Sequence, residues 1–307
     1  MVSVVSPVEL YGNVSSFSAG GRVGRAQCGL SVWALVAGAC FGAFFQATVN
    51  LLNTWGDEKS GVDAVPGAIR TTPQVHDGIV SMLMLLGVAL GCALMAAGLG
   101  LSLCWYKDGN GGVGFCIPLL LAGLVGFLGA TNYSTGFKFK YRGLGVPFVS
   151  ILMGPIEVYV ALLLLLPMFD LFAHLRAQVA FLVVTLPVAA LVGVVMHGND
   201  MRDMVTDRSA GIMTLALKLG PRGSLVYYWL CHLLPHVVCL ALAVGCRSPW
   251  FSLPLLELPL SIRTLTVATR VYKRNPSCPL WMRLERSSGL ALLVFGTLYS
   301  ISFACGT

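Results

Sequence analysis

The chain has 307 residues, 56% of them hydrophobic and only 11% charged, with a mean hydropathy of +0.80. Soluble domains carry about 25% charged residues, so this composition excludes a water-soluble globular protein. The net charge of +7 raises the question of a nucleic-acid partner, which the placement of the basic residues answers below.

Residues 1–29 hold Glu9, Arg22 and Arg25 and no full-length apolar run. They lack the basic segment followed by an apolar core that marks a signal peptide. They read as a peripheral helix or as the remnant of a truncated first span, and residues 30–307 as one transmembrane domain. Apolar runs long enough to cross a bilayer, which takes about 20 residues, then follow near 30–52, 78–104, 113–133, 144–167, 177–197, 224–245, 249–268 and 287–305. Barrel strands would instead alternate over about ten residues. The expectation is an all-α, polytopic helical bundle in a lipid bilayer, with eight clear spans. The ten cysteines include no C-x-x-C pair, and several lie in the apolar runs as small packing residues.

The connections alternate in charge. Lys59 and Arg70 fall in the first, Lys138, Lys140 and Arg142 in the third, and Arg202, Arg208, Lys218 and Arg222 in the fifth. Arg270, Lys273, Arg274, Arg283 and Arg286 fall in the seventh, while the connections between hold only Lys107, Arg176 and Arg247. This is the positive-inside pattern. It predicts that all four basic loops face the cytoplasm, of the plasma membrane in a bacterium, and it removes the need for a nucleic-acid partner.

The acids are also uneven. Asp57, Glu58, Asp63 and Asp77 cluster after the first span, and Asp200, Asp203 and Asp207 after the fifth. Asn53 and Asp57 are four apart, as are Asn199, Asp203 and Asp207, so each set shares a face if its helix continues. Like charges at that spacing repel, and near a membrane the charged forms also lose water. A divalent cation relieves both costs. Hard oxygen donors with few protein contacts suit Mg2+, which takes its remaining ligands from water and phosphate. The nearby Lys59, Arg70, Arg202, Arg208 and Lys218 suit phosphate oxygens, so a metal–diphosphate complex fits better than a bare cation. The competing readings are solvated loops whose acids pair with Arg202 and Arg208, and a transporter. The latter more often places ionisable groups near the midplane, where only Glu157 and Glu257 are candidates.

These residues carry a resemblance. The segment NLLNTWGDEKSGVD, residues 50–63, is similar to the first motif of the UbiA-type intramembrane prenyltransferases through Asn50, Leu51, Asn53, Asp57, Gly61 and Asp63. HGNDMRDMVTDRSAGIMTLALKLG, residues 197–220, resembles their second motif through Asn199, Arg202, Asp203, Asp207, Arg208, Ala210, Gly211, Thr214, Leu215, Ala216 and Gly220. KYRGLGVPFVSILMGP, residues 140–155, resembles a third segment. The nearest branch by motif is the 1,4-dihydroxy-2-naphthoate prenyltransferases (MenA-like) of menaquinone synthesis. Trp55 stands where the family has Tyr, Gly56 where it has a bulkier residue, Asp200 where Asn is common, and Val146 where it has an acid. Only SSFSAG, residues 15–20, vaguely matches the start of the family's first span.

The resemblance implies nine helices around a central cavity, capped by the two motifs. Asn53, Asp57, Asp63, Asn199, Asp203 and Asp207 would hold Mg2+ on a polyprenyl diphosphate, the four aspartates being catalytic. Arg70, Lys140, Arg202 and Arg208 would bind the diphosphate. An aromatic acceptor would then be alkylated, with loss of its carboxyl group in the naphthoate branch. The sister acceptors, 4-hydroxybenzoate among them, and an inactive member kept for binding remain the alternatives. Prenyl chain length and oligomeric state have no signature in the sequence.

Overall fold

The computed structural model describes residues 32–61, 75, 77–111, 116–165, 175–274 and 281–306. Among these residues, ten α-helices follow one another in this order: α1 Val32–Lys59, α2 Met82–Gly111, α3 Cys116–Ser134, α4 Gly145–Ile151, α5 Glu157–Leu165, α6 Leu175–Arg202, α7 Met204–Ser209, α8 Leu215–Gly245, α9 Leu258–Arg274 and α10 Trp281–Gly306. Together they provide eight segments long and apolar enough to cross a membrane. The protein is a polytopic helical membrane protein, and the eight expected spans each have a counterpart.

Two spans are composite. In the fourth, a π-helical turn over Leu152–Ile156 joins α4 to α5 and contains Pro155. Proline has no N–H to give the helical ladder, and a wider turn is a usual way to absorb that loss. In the seventh, a 3-10 stretch over Pro249–Glu257 leads into α9. Two other spans run further than hydropathy alone suggests. α1 continues through the polar TWGDEK to Lys59, because no residue there breaks a helix. The sixth span gains a first turn from Leu215, set off by a kink at Gly220. Its φ of 68° is left-handed, a conformation that glycine alone adopts without strain, and Pro221 then opens the next helical run.

Large apolar side chains face outward, and the mainly apolar interior also holds several polar groups. Leu83, Trp105 and Val244 are at least three-quarters exposed (80%, 85% and 75%), which suits a lipid solvent. His197, Ser224, His232, Glu257 and Ser261 are all at most 1% exposed. Buried polar groups need partners where water is absent. Glu257 has them: His236 Nε2 lies 2.9 Å from its Oε2, and Ser261 Oγ donates to it at 3.0 Å. Glu257 is therefore an interior residue at the junction of the 3-10 stretch with α9, whereas Glu157 is exposed at the start of α5.

Packing is densest in the C-terminal half. Tyr228 of α8, Leu265 and Ala268 of α9 and Leu284 of α10 form one core with Val194 of α6. Leu191, Cys239, Phe251, Phe295 and Tyr299 form a second. α1 packs chiefly on α2 and α3 over a smaller core of Ala37 and Leu103. Among the described cysteines, Cys104 and Cys239 lie in the interior, in keeping with packing roles.

Candidate active site

The site is built from four segments at one end of the bundle: the last two turns of α1, the turn after α3, the end of α6 with α7, and the start of α8. Asn53 and Asp57 ride α1 itself, so their four-residue spacing does put them on one face. The side chain of Asn53 accepts from the hydroxyl of Ser134, at the end of α3. α1 comes this close to α3 because position 56 is glycine. A Cβ there would lie 2.7 Å from Cβ of Ser134, so a bulky residue at this position is sterically excluded.

Asp57 is only 6% exposed and both its oxygens are engaged. Lys140 Nζ donates to Oδ2 at 2.6 Å and the Tyr141 hydroxyl donates to Oδ1 at 2.7 Å. An acid near a helix C-terminus faces the negative end of the dipole, and these two donors offset that. Burial acts to lower the pKa of Lys140, but the Asp57 carboxylate, then Asp207 and Asp200, outweigh it and raise it. Lys140 is thus a fixed cation among acids from both motifs. Burial, then Asp57, also raises the Tyr141 hydroxyl well above its ordinary value, so it stays a donor.

The second motif begins on α6 and turns at Asp203, whose φ of −94° and ψ of 6° end the helix before α7. The hydrogen-bond ladder nevertheless carries across the break, since Asp203 N–H donates to Asn199 O at 3.0 Å and Asp207 N–H to Asp203 O at 2.8 Å. The four-residue step therefore survives without a continuous helix. Arg202 chelates Asp203 through Nε and Nη2, both at 2.7 Å, and reaches Glu285 of α10 through Nη1 at 2.7 Å. Asp207 is 7% exposed. Burial pushes its pKa up to about 7, helped by the charges of Asp203 and Asp57 and opposed by those of Lys140 and Arg202.

The third segment ties the two motifs together. Tyr141 O accepts from Met213 N–H at 3.1 Å, and Lys218 Nζ donates to Arg142 O. Tyr141 thus touches the first motif through its side chain and the second through its backbone. Val146, just beyond, is 1% exposed and faces α6 near Gly193, so the family's acidic position is here an apolar packing position.

Of the residues expected at the site, the fold draws together Asn53, Asp57, Lys140, Arg202, Asp203 and Asp207, with Asn199 one turn before Asp203. Arg208 follows the inward Asp207 but is itself exposed and lines a separate cavity with Pro221 and Tyr272. Asp63 and Arg70 lie outside the described residues. Tyr141 and Ser134 were not singled out from the sequence. Tyr141 stands inside the quoted KYRGLG segment, while nothing local marks Ser134.

Among the described residues, no three His, Cys, Asp or Glu side chains form a ready metal cage. The donor set nonetheless fits a cation brought in with phosphate. Asn199 Oδ1 is shut off from solvent and, among the described residues, has no hydrogen-bond partner. Asp207 and Asp57 are carboxylates in mutual electrostatic reach. An unsatisfied hard oxygen beside carboxylates is what Mg2+ with its phosphate ligands uses.

Fold and site together define a polytopic helical membrane protein with an anionic cluster, pinned by partly buried cations, at one end of its bundle. The chain belongs to the UbiA prenyltransferase family, whose model matches residues 17–289. It is 34% identical over 224 residues to UbiA prenyltransferase domain-containing protein 1 of Ailuropoda melanoleuca, a match covering 69% of this chain and 58% of that one. The Homo sapiens protein of that name is 31% identical over 217 residues, again 69% and 58% of the two chains. The Drosophila melanogaster homolog is 28% identical over 269 residues, or 83% and 65%. The chain thus spans between 58% and 65% of these relatives' length. Their names state the family and no acceptor.

Proposed function

We propose that the protein transfers a polyprenyl group from a prenyl diphosphate to an aromatic ring. The observation that carries this reading is the contact of Lys140 with Asp57 inside the electrostatic reach of Asp207. It gathers both acidic motifs about one partly buried cation, the mixed charge a metal–diphosphate needs. The family membership supports the same reaction class.

Asp57, Asp203, Asp207 and Asn199, with Asn53 and Asp63 from the first motif, are the residues that would hold Mg2+. A bound Mg2+ would supply charge neutralisation on the departing diphosphate. Lys140 would then exchange Asp57 for a phosphate oxygen, and Arg202 and Arg70 are the further candidate diphosphate ligands, whereas Arg208 lines the separate cavity. Tyr141, held neutral, would keep Asp57 oriented. The C–O bond to diphosphate breaks, and the allylic carbon forms a C–C bond to the ring. The apolar bundle keeps water from the allylic cation.

For the acceptor we propose 1,4-dihydroxy-2-naphthoate, as in menaquinone synthesis, with the ring carboxyl leaving as CO2. The support is the ending of the first motif, Gly61-Val62-Asp63, and the run Arg202 to Gly211 in the second. The positive-inside pattern supports a cytoplasmic site. The test is incubation of membranes holding the full chain with a labelled prenyl diphosphate, Mg2+ or chelator, and a panel of rings. Transfer to dihydroxynaphthoate that stops with chelator is expected. Transfer to 4-hydroxybenzoate instead would overturn the acceptor, and no Mg2+-dependent release of diphosphate with any ring would overturn the reaction.

A further inference from the structure

Away from the acidic site, the outer face between α8 and α9 carries an apolar groove of about 460 Å³ lined by Leu225, Val226, Trp229, Leu230, Leu233 and Thr269. Leu225, Trp229 and Leu233 repeat every four residues, so they form one strip along α8. The polar atoms of the groove satisfy each other, since Trp229 Nε1 donates to Thr269 Oγ1 at 3.1 Å. The walls left to an occupant are hydrocarbon. Val226 and Leu230 are 55% and 63% exposed, which opens the groove to the bilayer.

A second cavity of about 230 Å³ contains Arg202, Arg208, Pro221 and Tyr272. Pro221 stands one turn before Leu225 on α8, and Tyr272 three residues beyond Thr269 on α9. The two helices run in opposite directions across the membrane, so both steps lead the same way, toward the end bearing the acidic motifs. The basic cavity therefore caps the apolar groove.

Its charge is cationic. Arg202 is occupied by Asp203 and Glu285. Arg208 is exposed and makes no ion pair among the described residues. Arg222 and Arg270, the chain neighbours of Pro221 and Thr269, are likewise exposed and unpaired among the described residues. A free cation above a hydrocarbon groove at a membrane boundary is complementary to a phosphate headgroup with its tail. The substrate fits less well, because the described residues lining this cavity include no carboxylate to take its metal.

We propose that the α8–α9 face binds one anionic phospholipid, its phosphate on Arg208 and one acyl chain along Trp229. The groove lies away from the acidic cluster, which the headgroup cavity borders at Arg202, and the proposal does not depend on the acceptor.

The test uses the full chain in detergent micelles, titrated with phosphatidylglycerol or phosphatidylcholine carrying brominated acyl chains, and tryptophan fluorescence. Trp229→Phe identifies the groove's share of the quenching. Phosphatidylglycerol should quench Trp229 at a concentration lower by about fivefold, the effect of one basic residue at a membrane surface. Arg208→Gln, at an exposed position, should remove that preference with the melting temperature unchanged. Val226→Phe should weaken quenching by both lipids. Equal quenching by the two lipids in the wild type, or a preference that survives Arg208→Gln, would overturn the proposal. Recovery of fluorescence with prenyl diphosphate at lower concentrations than with unbrominated phosphatidylglycerol would also overturn it, by assigning the groove to substrate.

Discussion

Lys140 Nζ lies 2.6 Å from Asp57 Oδ2 across 83 positions of sequence, and this contact joins the first acidic motif to the turn after α3. Lys140→Ala leaves a buried carboxylate without its cation. We expect kcat to fall by about 10²-fold, the usual scale for losing one charge-stabilising donor. Asp57→Asn alone should be comparably inactive. The double variant should lose less than the product of the two, because residues in direct contact are not additive. Steady-state kinetics on the four proteins reads this, and full additivity would count against the pairing.

Asp207 titrates near 7 instead of its ordinary 3.8, so between those values the folded protein holds a proton that the unfolded chain has lost. Stability must then fall as pH rises from about 4 to about 7. Below that window the contribution is fully present, and above it the contribution is gone. In chelator, the melting temperature of the wild type should decline from pH 5 to pH 8 more steeply than that of Asp207→Asn. Parallel profiles would show that Asp207 is not the group involved.

Arg202 bridges Asp203 and Glu285, but Glu285 is 43% exposed on its side chain. Removing so exposed a partner should cost under about 1 kcal/mol. Arg202→Lys should cost more, since an ammonium cannot reproduce the two-pronged grip on Asp203. Thermal melts of Glu285→Ala and Arg202→Lys should therefore rank in that order, with the activity loss confined to the latter.

Glu257 holds His236 and Ser261 in a region without water. Glu257→Leu strands His236 Nε2, at a cost of about 1–3 kcal/mol for the unsatisfied group, while the Ser261 hydroxyl keeps its contact with His232 Nδ1. Glu257→Gln keeps a hydrogen-bonding group in place and should retain most of the stability. Equal melting temperatures for Leu and Gln would show that the hydrogen bonds contribute little.

Gly56→Ala places a methyl group 2.7 Å from Ser134 Cβ, against the end of α3. Overpacking of this kind costs about 1–3 kcal/mol, and it should push Asn53 and Asp57 away from the Ser134–Tyr141 segment. A lowered melting temperature together with a loss of kcat is expected. An unchanged kcat would mean that the α1–α3 distance is not critical to the site.

Much of the architecture was legible from sequence. A bilayer demands long uncharged helices, and hydropathy reads that demand directly, so the eight spans needed no tertiary information. Span ends were less legible. TWGDEK looks like a loop by hydropathy, yet it continues α1 because helix propagation depends on backbone breakers and not on polarity. The two acidic segments were visible as clusters with a four-residue step. Their step predicted shared faces, and for Asn53 and Asp57 the helix provides one. For Asn199, Asp203 and Asp207 the step persists through a break that spacing does not reveal.

The sequence by itself determined that this chain is a multi-spanning helical membrane protein, and which two segments concentrate its acids. Both follow from local properties, the hydropathy and charge of neighbouring residues. Only the tertiary structure decided that Lys140 and Tyr141 close on Asp57, that Tyr141 also holds Met213, and that Arg208 turns away from Asp207 toward another cavity. These are contacts between segments tens of residues apart, or choices between adjacent side chains on one helix. They depend on how the helices pack, including the approach of α1 to α3 that Gly56 permits.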